Sequence, residues 1–190
     1  MFSTLRGALP QGQRALLVCA RQLAALLLAS HVCASAVTPN WGDPVNGLRL
    51  GVAVESEATL LVLLENSGSS NLTIMVGAES GNGVFYHVAF HAKDARGHVC
   101  EVLNLAGPGV VAGSLAPISI HLEPGQQYAI HLPMHKLICV EHQTDIPLDA
   151  LLRRGYSVTA AFSVDAPAAA WAHILQPWLG AIRSGQLSHP

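Results

Sequence analysis

Charge is scarce in this 190-residue chain: Asp, Glu, Lys and Arg make up 12% and aromatics 5%, while apolar residues reach 51%. That balance excludes an intrinsically disordered chain, because so much apolar surface offsets the entropy of ordering once it is buried. A formal net charge of -2 excludes the basic surface that nucleic acid demands. Long apolar runs are also missing. The run from Ala15 to Ala29 is broken by Arg21 and falls short of the roughly 20 apolar residues that a membrane helix needs.

Catalytic patterns are missing as well. The chain has no G-x-S-x-G elbow, no H-E-x-x-H pair and no G-x-x-x-x-G-K phosphate loop, and no two carboxylates stand close enough in sequence to nominate an acid and a base. Gly107-Pro108-Gly109-Val110-Val111-Ala112 matches the loose dinucleotide pattern. Gly113, Ser114 and Pro117 deny it the helix that would hold a pyrophosphate. The expectation is a protein that is not an enzyme and uses no cofactor.

Residues 1–36 have the three parts of a secretory signal peptide. Arg6, Arg14 and Arg21 form the basic region, Leu23 to Ala29 the apolar core, and Ala34-Ser35-Ala36 the small-residue cleavage site. Cys33 belongs to the discarded peptide, so no lipid anchor is expected. Cleavage leaves 154 residues, 37–190, with seven basic and twelve acidic side chains and a net charge of -5. One domain of that size buries roughly 68 to 70% of its unfolded surface. The expected location is secreted or periplasmic, with no membrane span after cleavage.

From Leu48 the apolar residues recur with period two in short runs separated by Gly, Pro, Asn and Ser, the pattern of half-buried strands. Leu48, Leu50, Val52 and Val54 share a face. Leu60 to Leu64 and Leu72 to Val76 read as two strands around the turn at Glu65-Asn66-Ser67-Gly68. Val84, Tyr86, Val88 and Phe90 line one face of a single strand, with Phe85, His87, Ala89 and His91 on the other. After the turn Lys93 to Gly97 come Val99, Glu101 and Leu103. The runs Ile118 to Leu122 and Tyr128 to Leu132 flank Pro124-Gly125, which suits a type II turn and makes a hairpin with a longer loop. Leu148, Leu151 and Leu152 predict a short helical turn near 148–154, stopped by Gly155. Tyr156 to Val164 is the clearest late strand. An irregular C-terminal extension begins at about 166, within which Trp178 to Ile182 pairs as a last strand. The fold class expected is all-β: an antiparallel immunoglobulin-like sandwich of about seven to nine strands.

Cys100 and Cys139 lie in strand-like segments of an exported chain and most simply form one disulfide. The histidines allow a second reading. His131, His135, Cys139 and His142 follow one another closely and would suit copper or zinc, although Cys139 cannot both bind a metal and join a disulfide. The favoured reading has no metal and puts His87, His91, His121 and His131 on solvated faces. Asn71-Leu72-Thr73 is a glycosylation sequon, meaningful at Asn71 only in a host with that pathway. Trp41, Trp171 and Trp178 are expected to pack together and close the domain, the alternative being that they expose a binding surface.

The order of these motifs, from Leu60 to Gly68 through Tyr86 to Phe90, Asp94 to Gly97, Leu122 to Gly125 and Gly155 to Ala160, resembles the immunoglobulin-like domain of bacterial intracellular proteinase inhibitors. Trp41 to Leu48 and Trp178 to Leu187 are similar to the ends of uncharacterised secreted bacterial proteins with such a domain. The resemblance implies the sandwich fold, with protease inhibition as a possible activity. The leader departs from an intracellular location, and no reactive loop maps onto this chain. The function expected is a non-catalytic binding or structural module with an unknown protein or cell-envelope partner, contacted through the loops Glu79 to Gly83 and Leu105 to Pro117. Metal handling and protease inhibition are the alternatives.

Overall fold

Alternating residues with apolar side chains on one side build strands because that side can be buried while the backbone hydrogen bonds to its neighbours. The computed structural model describes residues 37–80, 83–105, 115–141, 144–165 and 176–188. The leader at 1–36, Gly107 to Gly113, His142 and Trp171 lie outside the described residues.

Fourteen strands are present among the described residues: β1 (Asn40–Trp41), β2 (Leu48–Ser56), β3 (Thr59–Asn66), β4 (Leu72–Ser80), β5 (Gly83–Tyr86), β6 (Val88–Lys93) and β7 (Val99–Asn104). These are followed by β8 (Ala116–Leu122), β9 (Gln127–Pro133), β10 (Leu137–Glu141), β11 (Thr144–Pro147), β12 (Ser157–Val164), β13 (Gly180–Arg183) and β14 (Leu187–Ser188). One helix, α1 (Leu148–Arg153), and one 3-10 turn, Met134–Lys136, interrupt them. The pairing is antiparallel throughout. It makes a four-stranded sheet β1-β2-β3-β9, a three-stranded sheet β5-β4-β8, and a seven-stranded sheet β11-β10-β7-β6-β12-β13 in which β14 also pairs with β12. The all-β antiparallel sandwich is as expected. The strand count exceeds seven to nine because short strands not read as separate runs form at β1, β10, β11 and β14, and because one predicted strand is two.

That strand breaks at His87, whose backbone N–H donates to Val76 O at 2.9 Å. Before the break β5 pairs with β4; after it β6 pairs with β7 and β12. His87 and His91 are therefore not on one strand. A local reading of period two cannot detect the switch, since the alternation continues through it.

The two expected turns at Asn66 and at Pro124-Gly125 both form, but neither closes a hairpin. β3 pairs with β2 and β9, and β4 pairs with β5 and β8. The turns are corners where the chain leaves the four-stranded sheet for the three-stranded sheet, or returns. Gln126 N donates to Glu123 O at 2.9 Å, and Gly125 takes φ +80°, the positive value that the third position of a type II turn needs.

Asn66 fastens the two corners together. Its side chain is fully buried and fully used: Nδ2 donates to Ser70 O at 2.8 Å and to Leu122 O at 2.9 Å, and Oδ1 accepts from Gly68 N at 3.0 Å. Its backbone N–H donates to Gln126 O and its carbonyl accepts from Gly125 N. A buried amide in such a position is tolerated because every donor and acceptor is satisfied.

One core cluster draws on all three sheets: Leu50, Val62 and Ile130 from the four-stranded sheet, Ile74 and Val76 from the three-stranded sheet, and Phe90, Val102, Cys139 and Phe162 from the seven-stranded sheet. Helix α1 adds Leu148, Leu151 and Leu152, the spacing read from sequence, and Gly155 N donates to Leu152 O where it ends. Val54, expected to share the buried face, is 38% exposed at the strand end, where β2 and β3 shift register.

Cys100 and Cys139 are disulfide-bonded, with Cα atoms 6.1 Å apart. Val102 is the direct partner of Cys139, so the bond runs diagonally between neighbouring strands of one sheet. It differs in this from the cystine of antibody domains, which joins the two sheets.

Candidate functional site

Sheet pairing decides which side chains share an outward face. On the seven-stranded sheet the residues turned away from the core come from β10, β7, β6, β12 and β13. Ile138 pairs with Leu103, His91 with both Glu101 and Thr159, Lys93 with Val99 and Ser157, and Ala161 with Arg183. The inward residues of the same strands, Phe90, Val102, Cys139 and Phe162, are buried. Three large apolar side chains remain open on the outward side: Val99 at 55%, Leu103 at 46% and Val140 at 52% exposure.

Beside them runs a groove of about 330 Å³ lined by His91, Lys93, Val99, Thr159, Arg183 and Gln186, and also by Ser157. Its far wall depends on a bulge. Arg183 pairs with Ala161, but Leu187 pairs with Val158, so one extra residue is inserted between β13 and β14, and Gly185 and Gln186 both stand against Thr159. Such an insertion re-aims a side chain, and here Gln186 joins the groove lining. Ser184 repairs the interrupted ladder: its Oγ accepts from Ala160 N at 2.9 Å and donates to Gly185 O at 2.7 Å, while its N–H donates to Ala160 O. Behind the bulge lies β1. Gly185 N donates to Asn40 O, and a Cβ on Gly42 would fall 1.7 Å from Arg183 O.

The groove is cationic. Among the described residues no carboxylate forms an ion pair with Lys93 or Arg183, whereas Arg49 pairs with Glu65 and Arg153 with Asp149. Nor does any carboxylate line it. The nearest acids on the face are Glu101, opposite His91, and Asp145, opposite Val140. The hydroxyl of Ser157 donates to Lys93 O at 3.2 Å. Charges of one sign, with hydroxyl and amide donors beside an apolar stripe, form a surface able to bind an anionic group.

The other site residues are dispersed. His131 Nδ1 lies 2.8 Å from Glu55 Oε2 on the outward side of the four-stranded sheet. His135 is exposed in the 3-10 turn, and Cys139 is buried in its disulfide, so its sulfur is not free as a thiolate. Among the described residues no three His, Cys, Asp or Glu side chains lie close enough to hold a metal. Asn71 is exposed just ahead of β4. His121 Nδ1 lies 3.4 Å from Thr73 Oγ1. His87 is solvent-accessible, yet desolvation by the surrounding protein pushes its pKa below the ordinary imidazole value. Tyr128 is raised above its ordinary value, first by burial and then by the neighbouring Tyr86.

The tryptophans take separate roles. Trp178 stacks at 6.0 Å on Phe162, donates from Nε1 to Val45 O at 3.2 Å and from its backbone to Thr73 O. Trp41 instead lies on Gly51, with the Arg49 guanidinium 4.4 Å above its ring. The expected contact loops fall largely outside the described residues, which include Glu79, Gly83, Leu105 and Leu115 to Pro117 but not 81–82 or 106–114. Lys93, Thr159, Arg183 and Gln186 were not legible as a site. They come from β6, β12 and the segment from β13 into the following bulge, three regions far apart in sequence, and no local motif joins them.

The described structure thus defines an antiparallel β-sandwich with one open, partly cationic sheet face. Comparison with protein families, with curated proteins and with solved structures finds no match for this chain. Among the described residues no helix is long and apolar enough to cross a membrane.

Proposed function

We propose that the protein is an exported, non-catalytic binding module, secreted or periplasmic, that takes a protein or cell-envelope partner on the outward face of its seven-stranded sheet. One observation carries the reading: Val99, Leu103 and Val140 stand about half exposed on a rigid sheet beside Lys93 and Arg183. Apolar side chains grouped on a surface and rimmed by polar groups mark interaction sites. Export is supported by the leader pattern at 1–36 and by the disulfide, which persists in oxidising compartments. The absence of catalytic patterns from the sequence supports the non-catalytic role.

The test is capture from the cell-envelope fraction on immobilised full-length protein, run beside Leu103→Asp and Val140→Asp variants whose folding is checked by circular dichroism. The expected result is a protein or envelope component retained by the unaltered chain and lost from both variants. Recovery of nothing above background, or equal recovery by the variants, overturns the reading.

A further inference from the structure

We infer that the groove between β6 and β13 receives the carboxylate side chains of an acidic peptide segment whose neighbouring apolar residues lie on the Leu103 and Val140 stripe, an inference that rests on the binding reading above. Two cations without an acid partner point into one cleft of about 330 Å³. Among the described residues Arg49 pairs with Glu65 and Arg153 with Asp149, while Lys93 and Arg183, like Arg96, Arg154 and Lys136, have no ion-pair partner; Lys93 and Arg183 are the two that line this cleft. At the groove that pairing is left open, and the charge is available to a ligand.

The donors present match a carboxylate. Arg183 offers a planar fork suited to two oxygens, Lys93 a point charge on the other side, and the Thr159 hydroxyl and Gln186 amide lie between them. Charge-assisted hydrogen bonds of this kind are shorter and stronger than neutral ones. Partner class follows from what surrounds the groove. A sulfated glycan, nucleic acid or anionic lipid surface carries negative charge continuously, and beyond the groove it would meet Glu101 and Asp145 on the same face. A peptide carries carboxylates at separated positions. With alternating side chains it sets acids in the groove and apolar groups over Leu103, Ile138 and Val140. The face complements a sequence of alternating acidic and apolar residues.

The experiment titrates a fluorescent hexapeptide of alternating Glu and Leu into the full-length protein, beside a Lys–Leu hexapeptide and a sulfated oligosaccharide. Lys93→Glu and Arg183→Glu are each expected to weaken the Glu–Leu peptide at least tenfold, and raising the salt should weaken it further. Lys93→Gln and Arg183→Gln, which only neutralise the charge, should give smaller losses, and amide resonances of His91, Thr159 and Gln186 should shift on binding. No binding of the Glu–Leu peptide, equal binding of the Lys–Leu peptide, or unchanged affinity in all four variants overturns the inference. Tighter binding of the sulfated oligosaccharide overturns it in favour of a polyanion. None of these results touches the capture experiment, in which Leu103→Asp and Val140→Asp decide whether the face binds a partner at all.

Discussion

On the outward side of the four-stranded sheet the charged groups have partners within the fold. Arg49 donates from Nε and from one terminal nitrogen to Glu65, Gln127 donates to the other Glu65 oxygen, and His131 meets Glu55. Leu61 and Leu63 on that side are only 9% and 8% exposed. Trp41 lies over Gly51, the cross-strand partner of Leu63, because the missing Cβ leaves room for the ring; a sheet glycine covered by an aromatic is a recognised device of β proteins. The outward side of the seven-stranded sheet has Lys93 and Arg183 without acid partners and three apolar residues about half exposed. The closed face is built on a continuous apolar run, Leu60 to Leu64, buried on both sides, whereas β6 and β7 of the open face alternate. One is satisfied within the chain, while the other is the face on which we propose that a partner binds.

Four measurements would break or sharpen this contrast. The largest effect is expected from reducing Cys100–Cys139, which ties β7 to β10, the strands that present Leu103 and Val140. Chain entropy for a separation of 39 residues predicts a loss of about 4 kcal/mol, read as a lower denaturant midpoint with reductant. A loss below about 1 kcal/mol would show that packing alone holds these strands, well under the range typical of native disulfides. Next is Gly42→Ala, whose Cβ would overlap Arg183 O. Forcing the bulge away should cost about 1 to 3 kcal/mol, measured by thermal unfolding, and should weaken peptide binding because Arg183 is displaced.

The direct comparison pairs Trp41→Ala with Leu103→Ala. Removing the ring from the closed face loses apolar burial and the cation–π contact, about 1 to 2 kcal/mol. Leu103→Ala on the open face should stay within about 0.5 kcal/mol, since that side chain is exposed. Equal losses would erase the distinction between the faces. The smallest effect concerns His87. Desolvation lowers its folded pKa from 6.5, so the unfolded chain takes up the proton first as pH falls. Stability is unaffected by His87 well above pH 6.5, declines as pH drops through that value, and levels off below the folded pKa. Melting curves from pH 7.5 downward should show a shallower decline in His87→Gln than in the unaltered protein.

Much of the fold was legible in the sequence. Period-two alternation identified nearly every long strand, Pro124-Gly125 and Gly155 marked real chain reversals, the leucines at 148, 151 and 152 marked α1, and the two cysteines marked the disulfide. Asn46-Gly47 carried a further signal that went unread. Both residues take positive φ, and Val45 and Leu48 exchange backbone hydrogen bonds across them, the type I′ turn favoured by Asn-Gly.

Alternation reports which side of a strand faces the core, because side-chain direction is a property of the strand itself. It does not report the neighbouring strand, because pairing is a contact between segments distant in sequence. Local sequence therefore determined an all-β protein with its turns and inward residues. Tertiary structure alone decided that the corners at Asn66 and Pro124 change sheets rather than close hairpins, and that the strand through His87 divides between two sheets. It also decided that Lys93 and Arg183, 90 positions apart, flank one groove, since only the pairing of β12 with both β6 and β13 brings their charges together.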